Sequence, residues 1–223
     1  MSIETRDRWS NLRHSDVAAT IRAARLIVVL RRITPHERLL ELLDELADAG
    51  ARIFEITLDG EDAAADLMTA RDHLAGRRDR RCLVGAGTVR TVAQLRSAIE
   101  ARAAFGVSPV FDPKVAAAAL EAGLPFVPGA YTPTEADAAW QAGATFVKVF
   151  PGSSLGPSHV RELRGPLPEI EMIVTGGVDA TNAIEFLEAG AVAVGIGSAL
   201  VRASATERRA LLAAIAAAGA VGR

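Results

Sequence analysis

The sequence predicts an α/β protein, a single (β/α)8 TIM barrel with an extra N-terminal helix, and three observations predict it. Short runs rich in Val, Ile and Phe alternate with amphipathic runs eight times over, the pattern of parallel strands buried on both faces and joined by helices. The dipeptide Ala-Gly closes four of the amphipathic runs, at Gly50, Gly123, Gly143 and Gly190, where glycine just past a helix takes the left-handed conformation that other residues resist. A length of 223 residues holds eight such units in one minimal barrel and falls short of two comfortable domains. A doubly wound open sheet fits the same alternation, because periodicity alone does not show closure.

The elements follow in order. Residues 1–25 form an extension with one helix over about 17–24, and residues 26–223 form the barrel. Residues 26–30 (LIVVL) are unbroken aliphatic and make the first strand. Thr34-Pro35 sets a hydroxyl before a proline at the first position of a helix over 35–49. The second strand, 52–57, precedes a helix over 62–74, and the third, 82–86, precedes one over 92–100. Residues 104–107 are the fourth strand, and Asp112-Pro113 caps the helix 113–121. Residues 126–127 are the fifth, with Thr132-Pro133 capping the helix 133–141. The sixth strand, 145–149, leads to a helix over 158–163, and the seventh, 171–174, to one over 180–188. The eighth, 191–196, leads to a short turn at 198–201 and a closing helix from 206 to about 218.

Charge narrows the partners. A net charge of −2 without blocks of like charge lacks the basic surface that nucleic acid or an anionic membrane calls for. The polar start, MSIETRDRWSNLRHSD, has no apolar core of a secretion signal, and the apolar stretch 191–201 is too short to span a bilayer. A single cysteine, Cys82, forms no intrachain disulfide. These features predict a cytoplasmic protein acting on a small molecule. The histidines, His14, His36, His73 and His159, show no metal-site spacing with cysteine, so no metal is expected.

Of the 25 basic residues only Lys114 and Lys148 are lysine, which draws attention to both. Lys114 opens a helix and reads as a solvated residue. Lys148 lies inside a strand, with Phe146 and Phe150 on its face. Burial there disfavours the ammonium and yields a neutral amine, the nucleophile that condenses with a ketone. A structural lysine paired with a carboxylate such as Glu55 fits the same run. Glu55 itself interrupts the second strand, as either a proton shuttle or a salt-bridge partner.

In a barrel the active site lies where strands end, and phosphate commonly binds at the loops after the seventh and eighth strands. Thr175-Gly176-Gly177 and Gly195-Ile196-Gly197-Ser198 stand at those two places, with glycines that let backbone N–H groups approach an anion. Gly85-Ala86-Gly87-Thr88 reads as a turn after the third strand with the Thr88 hydroxyl at the mouth. Ser108-Pro109 and Pro128-Gly129 border the same opening.

Taken in order, Glu55-Ile56-Thr57, Gly85 to Thr88, Ser108-Pro109, Pro128-Gly129, Val147 to Pro151, Thr175 to Gly177 and Gly195 to Ser198 closely resemble the 2-keto-3-deoxy-6-phosphogluconate (KDPG) / 4-hydroxy-2-oxoglutarate aldolase family, over about residues 26–201. The resemblance implies a class I aldolase that cleaves a 2-keto-3-deoxy-6-phospho sugar acid to pyruvate and glyceraldehyde 3-phosphate. It implies Lys148 as the Schiff-base residue, Glu55 as acid/base, Thr88 and Pro109 beside the pyruvyl carboxylate, and Arg31 as a basic residue near the substrate. Gly176, Gly177, Gly197 and Ser198 would hold the phosphate. It further implies a homotrimer that needs no cofactor. One departure stands out: many members carry arginine four residues after the glutamate, and this chain has Asp59, which would repel a substrate carboxylate unless it turns away or pairs with Arg31 or Arg32. Two other readings keep the barrel: a phosphate-binding isomerase or synthase, and a non-catalytic binder of keto acids or sugar phosphates.

Overall fold

The structure is a computed structural model and describes residues 3–77 and 82–218. The outer limits of both segments assigned from sequence, residues 1–2 and 219–223, lie outside the described residues. After the helices α1 (Ile3–Arg13) and α2 (Asp16–Ala24), strands and helices alternate: β1 (Leu26–Leu30), α3 (His36–Asp48), β2 (Ile53–Thr57), α4 (Ala63–Ala75), β3 (Leu83–Gly87), α5 (Val92–Glu100), β4 (Gly106–Val107), α6 (Pro113–Glu121), β5 (Phe126–Val127), β6 (Gly129–Ala130), α7 (Pro133–Gln141), β7 (Val147–Val149), α8 (Gly152–Arg164), β8 (Met172–Thr175), α9 (Ala183–Glu188), β9 (Ala193–Ile196), α10 (Ser198–Arg202) and α11 (Ala205–Ala218).

All strand pairs are parallel, in the order β5-β4-β3-β2-β1-β9-β8-β7-β6. The two ends of that series, β5 and β6, are halves of one run broken at Pro128, which has no N–H to give to a ladder. Phe126 O accepts from Thr145 N at 2.9 Å and Pro128 O from Lys148 N at 2.8 Å. The run therefore bonds to both neighbours and the sheet returns on itself. Closure, which the alternation of the sequence left open, is settled in favour of the barrel.

Two separate apolar clusters show which way each strand side chain points. Leu26, Val28, Leu30, Phe54, Ile56, Val147 and Val149 pack with helix residues such as Leu42, Leu67 and Ala139. The alternate positions, Ile27, Ile53, Phe105, Phe146, Ile173 and Ala193, gather in the lumen. Ala18 and Ile21 of α2 join that inner cluster, so the extension plugs the N-terminal end of the barrel.

The extension also has a helix that the sequence reading missed. Helix α1 has a polar sequence, but Trp9, Leu12 and Arg13, at helical spacing, are its half-buried residues. Arg13 stacks over the Trp140 ring at 3.5 Å and donates to Ala144 O at 2.9 Å and Trp140 O at 2.7 Å. Gly143 leaves space for the Trp9 indole, which a Cβ would overlap. Arg22 of α2 pairs with Glu171 just before β8.

Caps divide. Thr132 Oγ1 accepts from Glu135 N and Glu135 answers to the Thr132 N–H, a capping box, and Asp112 accepts from Lys114 N at 2.7 Å. Thr34 does not cap: α3 begins at His36 after a cis Thr34-Pro35 bond, with no side-chain cap. Gly50, Gly123, Gly143 and Gly190 all have positive φ, as the helix-stop reading requires.

Candidate active site

Inner-face alternation carries chemistry upward from the apolar base. Above Ile53 stands Glu55, and above Phe146 stands Lys148; both are buried, with 1% and 5% of their surface exposed. In strand order three strands separate β2 from β7 on either side, counting β5 and β6 as one. Glu55 and Lys148 thus face each other across the lumen. Among the described residues no carboxylate closes an ion pair with Lys148, and its Nζ sits 4.9 Å from the centre of the Phe150 ring. A direct ion pair to Glu55, one form of the structural-lysine reading, is therefore not made among the described residues, although the Glu55 charge still acts on the amine.

Burial drives both groups toward their neutral forms. The Lys148 amine is pulled below its ordinary value by desolvation, opposed by the Glu55 charge and reinforced by Arg31. The Glu55 carboxyl is pushed up by desolvation, opposed by the charges of Lys148 and Arg31, with Asp59 adding to the rise. Its Oε2 has no hydrogen-bond partner among the described residues, and a buried polar atom without a partner asks for a functional explanation.

The glycines of β3 serve differently from the sequence reading. Gly85, inside the run 82–86 read as the third strand, and Gly87 both lie within β3, so the strand runs on where a turn was read. A Cβ at Gly87 would overlap the Glu55 carboxylate, and one at Gly85 the Phe105 ring. They are gaps into which the lumen's large side chains fit.

A cavity of about 410 Å³ opens above Lys148, and its walls include Arg31, Phe150, Thr175, Gly176, Gly177 and Ser198. Gly197, Asp179 and Arg202 line it as well. Gly176 and Gly177 have φ of 85° and 75°, a backbone shape that glycine adopts without strain and that turns successive N–H groups to one side. Six of the nine residues singled out from sequence thus meet around one space: Lys148, Arg31, Gly176, Gly177, Gly197 and Ser198. Glu55 lies deeper in the lumen. Thr88 is tied to the rim through Arg31, whose Nη2 donates to Thr88 Oγ1 at 3.3 Å. Pro109 does not line the cavity; its carbonyl packs over Gly129, the register partner of Lys148.

Asp59 pairs as one of the sequence alternatives required. Its Oδ2 accepts from Arg31 Nη1 at 3.0 Å and lies 3.4 Å from Arg32 Nε. Arg32 and Thr88 both hold positive φ, 49° and 57°, conformations that cost energy for residues with a Cβ and that cluster at functional mouths. The sequence reading named Thr175 only as part of its glycine turn, and the structure buries its hydroxyl without a partner among the described residues; the sequence reading missed Asp179 and Arg202. Arg202 carried a usable signal: it stands four residues after Ser198 in a helical run, and so on the same face.

A buried amine, a carboxyl opposite it and a cavity rimmed by arginines and glycine turns suit carbon–carbon bond chemistry at a carbonyl. Known proteins agree. A family model for KDPG and KHG aldolases matches residues 17–217. A probable 2-dehydro-3-deoxy-6-phosphogalactonate aldolase of Rhizobium meliloti is 37% identical over 177 residues, 78% of this chain and 81% of that one. A 2-dehydro-3-deoxy-phosphogluconate aldolase of Treponema pallidum is 35% identical over 162 residues, covering 72% and 73%. Among solved structures, KDPG aldolase from Legionella pneumophila with pyruvate captured as a covalent carbinolamine superposes with a TM-score of 0.77 at 26% identity, covering 91% and 97%.

Fold and site define a barrel aldolase, a carbon–carbon lyase. The chain belongs to the KDPG and KHG aldolase family.

Proposed function

We propose that this chain is a class I aldolase that cleaves a 2-keto-3-deoxy-6-phospho sugar acid to pyruvate and glyceraldehyde 3-phosphate, with Lys148 as the covalent residue. The observation that carries the reading is the buried Lys148 amine at the floor of a cavity bounded by two glycine turns. A neutral Nζ adds to the keto carbon to give a carbinolamine, and loss of water leaves a protonated imine. The C4 hydroxyl gives up its proton, the C3–C4 bond breaks, and its electrons enter the imine to leave an enamine. The aldehyde departs. Protonation at C3 and attack of water on the imine then release pyruvate and restore the amine.

Glu55 is the acid/base of this cycle: burial pushes its carboxyl up from the ordinary range, which suits a group that takes up and returns a proton. Arg31, Thr88 and Pro109 are assigned to the pyruvyl end, and Gly176, Gly177, Gly197 and Ser198 to the phosphate. Asp59, tied to Arg31 and Arg32, leaves that trio with net positive charge, which removes the repulsion that favoured a non-catalytic binder. Residues 26–223 are the catalytic domain in this reading and 1–25 its base. Family resemblance supports a homotrimer, and exposed Val110 and Tyr131 near the strand ends offer apolar surface for contact. A cytoplasmic location is proposed with it; among the described residues no helix is long and apolar enough to cross a membrane.

The test is pyruvate release from a panel of 2-keto-3-deoxy acids, phosphorylated and not, with gluconate- and galactonate-derived members. Cleavage of a phosphorylated member that vanishes in Lys148→Arg supports the reading, since a guanidinium forms no imine. Retained turnover in that variant contradicts it.

A further inference from the structure

We propose that Arg202 is a specificity-determining residue that reads the substrate's phosphate and gives this enzyme its preference for phosphorylated over unphosphorylated substrate; the proposal rests on the aldol reading above and names the recognition group at the far end of the same cavity. Two guanidiniums reach the cavity, and they differ in what already holds them. Arg31 is engaged by Asp59 at 3.0 Å and by Thr88 at 3.3 Å. Arg202, an exposed residue in the last turn of α10, has no ion pair or hydrogen bond through its side chain among the described residues. Its charge is uncommitted.

Position gives that charge a task. Arg202 follows Ser198 by one helical turn, so its guanidinium rises from the helix face that carries the Ser198 hydroxyl. Gly176 and Gly177, with their left-handed backbone, follow the neighbouring strand β8 and line the same cavity. Asp179 lines this end too, and it is a carboxylate: its Oδ1 accepts from Thr181 N at 2.8 Å and Thr181 Oγ1 at 2.6 Å. Those bonds hold it below the ordinary carboxylate range, so it stays anionic where a phosphate is to sit. Backbone N–H groups alone would then face a dianion beside a fixed negative charge. Arg202 brings a positive charge that offsets the Asp179 carboxylate, and its planar fork of N–H groups matches phosphate oxygens two at a time.

The experiment compares the unmodified enzyme, Arg202→Gln and Arg202→Lys on a phosphorylated 2-keto-3-deoxy acid and its unphosphorylated counterpart. Borohydride trapping of pyruvate, which has no distal group, runs alongside. A lost charge-assisted contact is expected to lower kcat/KM for the phosphorylated substrate about 10- to 100-fold in Arg202→Gln, mostly through KM. Arg202→Lys should recover part of it. The unphosphorylated substrate and pyruvate trapping should stay within about two-fold of the parent, since neither uses a contact to phosphate. Equal loss on both substrates, or no loss on the phosphorylated one, overturns the proposal. If the parent enzyme cleaves neither substrate the aldol reading fails by itself. Arg202 is then judged by calorimetric titration with glyceraldehyde 3-phosphate, where weaker binding to Arg202→Gln supports the assignment and equal binding overturns it.

Discussion

The two ends of the barrel are built on opposite principles. At the N-terminal end, lumen side chains are Ile27, Ile53, Phe105, Phe146 and Ile173, sealed by Ala18 and Ile21 of the extension. Its charged groups are largely engaged, since Arg22 pairs with Glu171 and Arg13 stacks on Trp140 while donating to two carbonyls, although the Trp9 indole N–H and Arg25 Nε are buried there without partners among the described residues. At the C-terminal end, two residues further along the same strands, Glu55 Oε2 and Thr175 Oγ1 are buried without partners among the described residues, Lys148 makes no ion pair with them, and Arg32 and Thr88 hold positive φ. A protein tolerates such a mouth only because the remainder of the ring over-determines it. The base supplies stability and the mouth supplies reactivity.

Mutations at the two ends should therefore separate the two properties. Glu55→Gln, which keeps the shape and removes the proton shuttle, is expected to lower kcat by about 10² to 10⁴. Its unfolding midpoint in urea should match or exceed the parent's, because a buried ionisable group has been removed. A clear drop in stability would break the contrast. Ile21→Ala at the base should do the reverse. A deleted core aliphatic costs about 2–5 kcal/mol, read from the same urea titration, while kcat of the folded enzyme stays near the parent value.

A third comparison sharpens the mouth itself. Only the neutral Lys148 amine attacks, so kcat/KM should fall about tenfold per pH unit on the acid side of its titration. The Glu55 charge raises the Lys148 value. Removing that charge in Glu55→Gln should move this acid limb to lower pH, measured as a pH–rate profile on residual activity. A limb that stays in place or moves upward would show that the two groups do not share one field.

Much of this was legible in the sequence. The alternation of strands and helices, the four Ala-Gly helix stops and the face shared by Phe146, Lys148 and Phe150 follow from periodicity and from what glycine and proline allow. Lys148 stood out because lysine is so rare in the chain. What stayed hidden depends on pairs distant in sequence. Gly87 looks like a turn glycine until Glu55 from the neighbouring strand is found to fill its place. Asp59 looks repulsive until Arg31 and Arg32 close on it. Helix α1 has no broad apolar stripe of its own and is anchored by contacts with Trp140 and Ala144, more than 120 residues away. Closure through a strand split at Pro128 could not be read from four apolar residues flanking a proline.

The central claim is that one buried amine, in direct ion pair with no carboxylate among the described residues, forms the covalent bond. The chain offers its own control, since Lys114 is the only other lysine and lies at the start of a surface helix. Treating the protein with pyruvate and borohydride and mapping the modified peptide by mass spectrometry should place a reduced pyruvyl adduct on Lys148 alone. An adduct on Lys114, or none on either residue, would contradict the account.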